Sequence, residues 1–200
     1  GVLACAGAVG FATSPASRRF RPQLTRLGEP PLPRQRALSS GGVRVLVLCV
    51  FAMVTGFAAI DVATVAAARQ LSGNGTAGIM IAIWSVGSLG GGLVYGSRSW
   101  PGALSTRIIV LLGAIAVMTA ALVPQSSLVA LGIVLFVGGA NYAPCFACIN
   151  LVVQRSARAG AVTESYAWIG SGALLGASLG SAIGGVAISE HGFGAGYLVA

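Results

Sequence analysis

Arg44-Val-Leu-Val-Leu-Cys-Val-Phe-Ala-Met-Val-Thr-Gly-Phe-Ala-Ala-Ile-Asp-Val-Ala-Thr-Val-Ala-Ala-Ala-Arg69 is the stretch that decides the fold. Its two arginines enclose 24 residues with a single charge, Asp61. Coiled as an α-helix they measure about 36 Å, enough to cross a hydrocarbon layer of about 30 Å. An aqueous core has no use for so long an apolar run, whereas a membrane requires one.

The same pattern repeats outward. Ser72-Gly-Asn-Gly75 supplies turn residues, and a second uncharged span follows over 76–96. Pro101-Gly102 turns the chain into a third, over 107–124, and Pro124-Gln-Ser-Ser127 separates that from a fourth, over 128–153. A fifth occupies 161–188, with Glu164 in its first turn, where a carboxylate suits the helix dipole. A sixth begins near Phe193 and is interrupted at Ala200. With the first at 44–68, these spans predict an all-α membrane protein, a polytopic helical bundle over 44–200. Residues 1–13 read as the end of a further transmembrane helix, so both ends are expected to be cut from a longer protein.

Residues 14–43 differ in kind. They carry five of the eight prolines, six arginines and one acid, Glu29, and cannot bury enough apolar surface to fold alone. A basic linker is expected there. Over the whole chain 56% of residues are hydrophobic and 8% charged, against roughly 25% charged in a soluble domain. All 12 cations are arginine, and eleven of them fall in alternate connections: 18, 19, 21, 26, 34, 36 and 44, then 98 and 107, then 155 and 158. Only Arg69 falls on the opposite side. Short cytoplasmic loops retain positive charge, so this asymmetry predicts a multi-pass protein of the cell membrane with 14–43 cytoplasmic. It also accounts for the net charge of +8 without nucleic acid, since no stripe of aromatic and basic residues is present to follow a phosphate backbone.

Few residues remain for chemistry. Cys145 and Cys148 form a C-x-x-C inside an apolar run, far in sequence from the one histidine, His191, and read as packing groups with Cys5 and Cys49. No nucleophile with its base, no metal-ligand set and no phosphate loop is present, so neither enzyme activity nor a cofactor nor a metal is expected. Asp61 is the one ionisable residue well inside a span, about 12 Å of helix rise from Arg69. Such acids face cavities, pair with bases or relay protons, because charge at mid-membrane costs about 3 kcal/mol. A partly wet place near the interface is the other reading. Phe57, Asp61, Thr64 and Ala68 share one helical face. In the fourth span Asn141, beside Tyr142 and with Cys145 and Cys148 on its face, meets Pro144, whose missing N–H frees a carbonyl. That group reads as a polar notch or as a packed kink.

Gly172, Gly176, Gly180 and Gly184 recur every four residues, and Gly87 and Gly91, continued by Gly92 and Gly96, form a second strip. Bare strips let helices approach closely, either as ordinary packing or as a sliding interface that gates two rocking halves. Trp84-Ser-Val-Gly87 and Trp168-Ile-Gly170 open the strips with similar words, suggesting two three-helix units of opposite direction.

Three stretches carry a resemblance: Val54-Thr-Gly-Phe-Ala-Ala-Ile-Asp-Val-Ala63, Trp84-Ser-Val-Gly-Ser-Leu-Gly-Gly-Gly-Leu-Val-Tyr-Gly96, and Thr163-Glu-Ser-Tyr-Ala-Trp168 with its glycine ladder. In this order they resemble the C-terminal half of major facilitator superfamily transporters, in the actinobacterial drug-efflux-like branch. The resemblance implies a six-helix half with a 3+3 inverted repeat, and a missing N-terminal half as partner. It further implies proton-coupled export of a small molecule by alternating access, with Asp61, Asn141, Tyr142, Phe57 and Thr64 near substrate or proton. The family's loop acid is absent, since Gly92-Leu-Val-Tyr runs into Gly96-Ser97-Arg98. A non-transporting membrane scaffold or assembly subunit, its glycine strips serving permanent partners, is the alternative.

Overall fold

A computed structural model describes residues 37–73, 75–156 and 161–200. The expected helix end at 1–13, most of the linker, and Arg158 lie outside the described residues. Among these residues all regular structure is helical: α1 Gly41–Ser72, α2 Thr76–Gly96, α3 Leu104–Leu122, α4 Leu128–Ser156, α5 Val162–His191 and α6 Phe193–Val199, preceded by one 3-10 turn at Ala37–Ser39. The first five are long and apolar enough to cross a membrane. A lipid-facing backbone has no water to bond to, so each segment satisfies its own amides as a helix.

The boundaries follow local chemistry. Gly73 and Gly192 end α1 and α5 at φ of 85° and 82°, where a side chain would be strained, and each returns its N–H to the carbonyl four residues back, Arg69 and Ile188. Most ends lie within three residues of the expected spans. The first span is longer at both ends, with 32 residues and a length of about 48 Å. The linker expected to reach residue 43 therefore ends earlier. Its last described residues are tied to the bundle: Arg44 Nε donates to the Leu38 carbonyl at 2.6 Å, and Ala37 is buried with Val43 and Ala161.

Two close pairs organise the helices, α1 with α5 and α2 with α4. Looser contacts join α3 to α4, α6 to both α1 and α5, and α1 to α2 and α4. The glycines explain the close pairs. A Cβ added at Gly176 would stand 2.6 Å from the Phe51 carbonyl oxygen, and one at Gly180 would overlap that of Thr55. Gly172 and Gly184 lie less tightly against Val47 and Ala59, where an added Cβ would stand 3.2 Å from the nearest atom. On α2, Gly87 and Gly91 meet the carbonyls of Phe136 and Ala140. Both strips are thus spent inside this bundle.

The expected continuation of the α2 strip fails at its end, since a Cβ at Gly96 meets nothing within 4 Å, as at Gly170 on α5. Gly96 lies past the contact of α2 with α4, and Gly170 lies on the exposed face of α5. Gly96→Ala and Gly170→Ala are therefore expected to leave the detergent-unfolding midpoint unchanged or raise it, by up to about 1 kcal/mol of relieved backbone entropy. A drop at either site would mean an unseen neighbour.

Buried residues form two layers. Ile60, Ala63, Ala67, Met80, Leu122, Leu131, Leu135 and Tyr197 pack at one level, and Leu46, Val50, Met53, Cys145, Ile149, Val153 and Ile169 at the other. Large apolar side chains such as Leu89, Ile109, Leu174 and Leu175 point outward. Burial among helices and exposure to lipid are both apolar environments here, so exposure does not imply polarity.

Candidate functional site

Mid-bundle, α1, α2 and α4 bring three aromatic rings together. Phe57 lies 5.0 Å from Tyr142 and 5.5 Å from Trp84 between ring centroids, and Trp84 meets Tyr142 edge-on at 5.8 Å. Phe146 extends the group at 6.0 Å from Tyr142. Tilted and edge-on rings at these separations add about 0.5–1.5 kcal/mol per pair beyond area burial, so the cluster helps to hold α1, α2 and α4 together.

Beside it opens a cavity of about 70 Å³ lined by Phe57, Asp61, Thr64, Trp84, Ser85 and Leu135, among others. Asp61 is exposed and makes no hydrogen bond or ion pair to the described residues. Ser85 is bonded to its own helix, at the Ile81 carbonyl, 2.8 Å away. A carboxylate that shares a cavity with Phe57 and Trp84 inside a span can attract a cationic group. Among the described residues Asp61 is the one acid or base that lines this cavity.

The face expected to carry Phe57, Asp61, Thr64 and Ala68 is divided. Thr64 and Ala68 are buried, and Thr64 Oγ1 lies 3.2 Å from the Tyr197 hydroxyl of α6. Thr64 borders the cavity while being committed to that bond. Thr64→Val should destabilise the fold by about 1 kcal/mol by leaving the Tyr197 hydroxyl unpaired, read as a lower unfolding midpoint. An unchanged midpoint would show that the bond adds nothing.

The notch expected around Asn141 does not form as one group. Tyr142 turns to the aromatic cluster, Cys145 is buried among Val50, Met53 and Ile149, and the Cys148 thiol lies 2.8 Å from the Tyr95 hydroxyl. Asn141 donates to the Val137 carbonyl of its own helix at 2.8 Å and borders a separate groove, with Gly87, Gly91 and Pro144. Successive helical residues point about 100° apart, which sends Asn141 and Tyr142 to different neighbours. Pro144 withholds its N–H from the Ala140 carbonyl, which is the one Gly91 approaches. The freed oxygen thus meets the bare face of α2.

Trp84 and Ser85 went unassigned in the sequence reading of the site. A signal existed, because Trp84 is mid-span whereas membrane tryptophans concentrate at the interfaces. The shared words around Trp84 and Trp168 mislead, since Trp84 packs in the cluster and Trp168 is 42% exposed on the outside of α5.

Compared with protein-family models, curated proteins and solved structures, the chain matches none.

Proposed function

We propose that this chain is the C-terminal six-helix half of a secondary transporter, related to the major facilitator superfamily, that exports a small molecule in exchange for protons by alternating access. Its partner is an N-terminal half of the same protein, and residues 14–43 form the cytoplasmic connection between them in the cell membrane. The arginine asymmetry supports that orientation.

The support for an inverted repeat is internal. Exchanging α1 with α4, α2 with α5 and α3 with α6 turns the α1–α5 pair into α4–α2, and α3–α4 into α6–α1, while α5–α6 has no packed counterpart in α2–α3. For the two close pairs the exchange also holds residue by residue. Gly176 and Gly180 stand 89 positions after Gly87 and Gly91, while the carbonyls they meet, at Phe51 and Thr55, stand 85 before Phe136 and Ala140. Leu46 and Leu131, Val50 and Leu135, Ile60 and Cys145, and Ala63 and Cys148 are buried pairs at the same 85-residue spacing. Consecutive spans alternate direction, so units of three helices are antiparallel. Transporters with such repeats bind substrate near mid-membrane between the units.

One observation carries the function. Phe57 and Tyr142 correspond at the 85-residue spacing and touch each other, marking the junction of the two units, and the unpaired Asp61 stands one turn away. The scaffold alternative is disfavoured in this reading, because Gly172 to Gly184, Gly87 and Gly91 face helices of this bundle.

The test is transport by the full-length protein in proteoliposomes, with a cationic amphipathic dye as probe and an imposed pH gradient. Dye movement coupled to the gradient is expected. Flux equal to that of protein-free vesicles under gradients of both signs, together with an upstream sequence lacking further spans, would reject the proposal.

A further inference from the structure

α2 and α3 form no packed pair, and between them, floored by α4, runs a groove of about 680 Å³. That volume falls in the ordinary range for small ligands, roughly 300–1,000 Å³. Its walls are apolar, including Gly90, Val94, Val110 and Phe136. Each of these except Gly90, which has no side chain, is among the large apolar residues exposed by the bundle.

One end of the groove has a different character. Arg107 is held there by three neutral acceptors: its Nη1 donates to the Tyr95 hydroxyl at 3.3 Å, and its Nη2 to the carbonyls of Trp100 and of Gly102, the latter at 3.1 Å. Its Nε is buried without a hydrogen-bond partner, and no carboxylate pairs with the guanidinium among the described residues. Trp100 stacks on Tyr95, with centroids 5.5 Å apart and planes 13° apart, and donates to the Tyr95 carbonyl at 3.0 Å. The result is an oriented cation with donors to spare and no counter-ion, beside a tryptophan of the kind that marks the membrane interface.

Bare cationic pockets between transmembrane helices attract anionic headgroups. Arg98 in the same turn adds positive charge, and the turn contains no acid. A guanidinium with a buried donor left unsatisfied and no carboxylate beside it is costly, and a phosphate in the groove supplies the missing counter-charge. We propose that this groove holds one acyl chain of an anionic phospholipid, with its phosphate on Arg107. The site lies away from the Asp61 cavity and does not depend on the transport reading.

The test uses delipidated full-length protein in detergent, titrated with dioleoyl phosphatidylglycerol, dioleoyl phosphatidylcholine or inorganic phosphate, and followed by thermal midpoint and by native mass spectrometry. Phosphatidylglycerol should bind and raise the midpoint, and the other two should not. Arg107→Gln should weaken that binding about ten-fold or more, the loss of a charge-assisted hydrogen bond. Should that variant unfold, Gly90→Leu decides, because a Cβ at Gly90 meets nothing within 4 Å, and the larger side chain fills the groove while sparing Arg107. Arg98→Gln removes a nearby charge outside the groove lining and should weaken binding less than Arg107→Gln does. Equal binding of phosphatidylcholine, protection by phosphate alone, or full phosphatidylglycerol binding by Gly90→Leu would overturn the proposal.

Discussion

Gradient-driven transport is expected to fall to the level of protein-free vesicles when Asp61 is replaced by asparagine, while exchange of substrate across the membrane without a gradient persists. Asparagine keeps the size of the side chain and removes its charge and its acidic proton. Among the described residues the carboxylate makes no bond whose loss could disturb α1. Stability should hold or rise, because an ionisable group inside the bilayer costs about 2.5–3.5 kcal/mol near the centre. The combination is diagnostic. A proton carrier loses coupling and keeps its fold, whereas a carboxylate that served only as a polar surface group would leave both unchanged. Gradient-driven flux in Asp61→Asn with the wild-type rate and pH dependence would remove Asp61 from the mechanism.

The second large effect concerns the helix pairs. Gly180→Leu and Gly91→Leu should each destabilise the bundle by about 1–3 kcal/mol or more, the range for forcing extra atoms into a packed interface. At both positions the first added carbon already overlaps a backbone carbonyl, that of Thr55 or of Ala140, which no rotamer change can move aside. The helices must separate, and the neighbouring contacts at Gly176 or Gly87 loosen with them. The gain in helix propensity from replacing glycine, about 1 kcal/mol, acts in the opposite direction and is too small to win. Unfolding midpoints in mixed detergent measure the result, with Gly170→Leu as the control in open space. If Gly180→Leu behaved like Gly170→Leu, the close approach of α1 and α5 would be disproved.

How much of this was legible in the sequence depends on which physical constraint is asked about. Span number and approximate position were legible because the bilayer acts on each segment separately: length, apolarity and turn residues suffice, and neighbours hardly matter. The strip Gly172 to Gly184 was legible as a packing face for the same reason, since its four-residue period is a property of one helix. Its partner was not, because a bare strip fits any helix of suitable register. Gly91 and Gly96 look equivalent in sequence, yet only one lies at a crossing.

The site was legible only in part, and the reason is again the solvent. In water, alternation of polar and apolar residues tells which face of a helix is inside. Here both faces are apolar, so Asn141 and Tyr142, or Trp84 and Trp168, carried no mark of their direction. Composition and local pattern, acting one helix at a time, determined that this chain is a bundle of membrane-spanning helices with few charges, one of them alone inside a span. Tertiary packing decided that Phe57, Trp84 and Tyr142 meet beside Asp61, that Thr64 is bound to Tyr197, and that Arg107 closes a separate groove. Those outcomes depend on which helices cross and at what height, a choice made by contacts between segments distant in the chain.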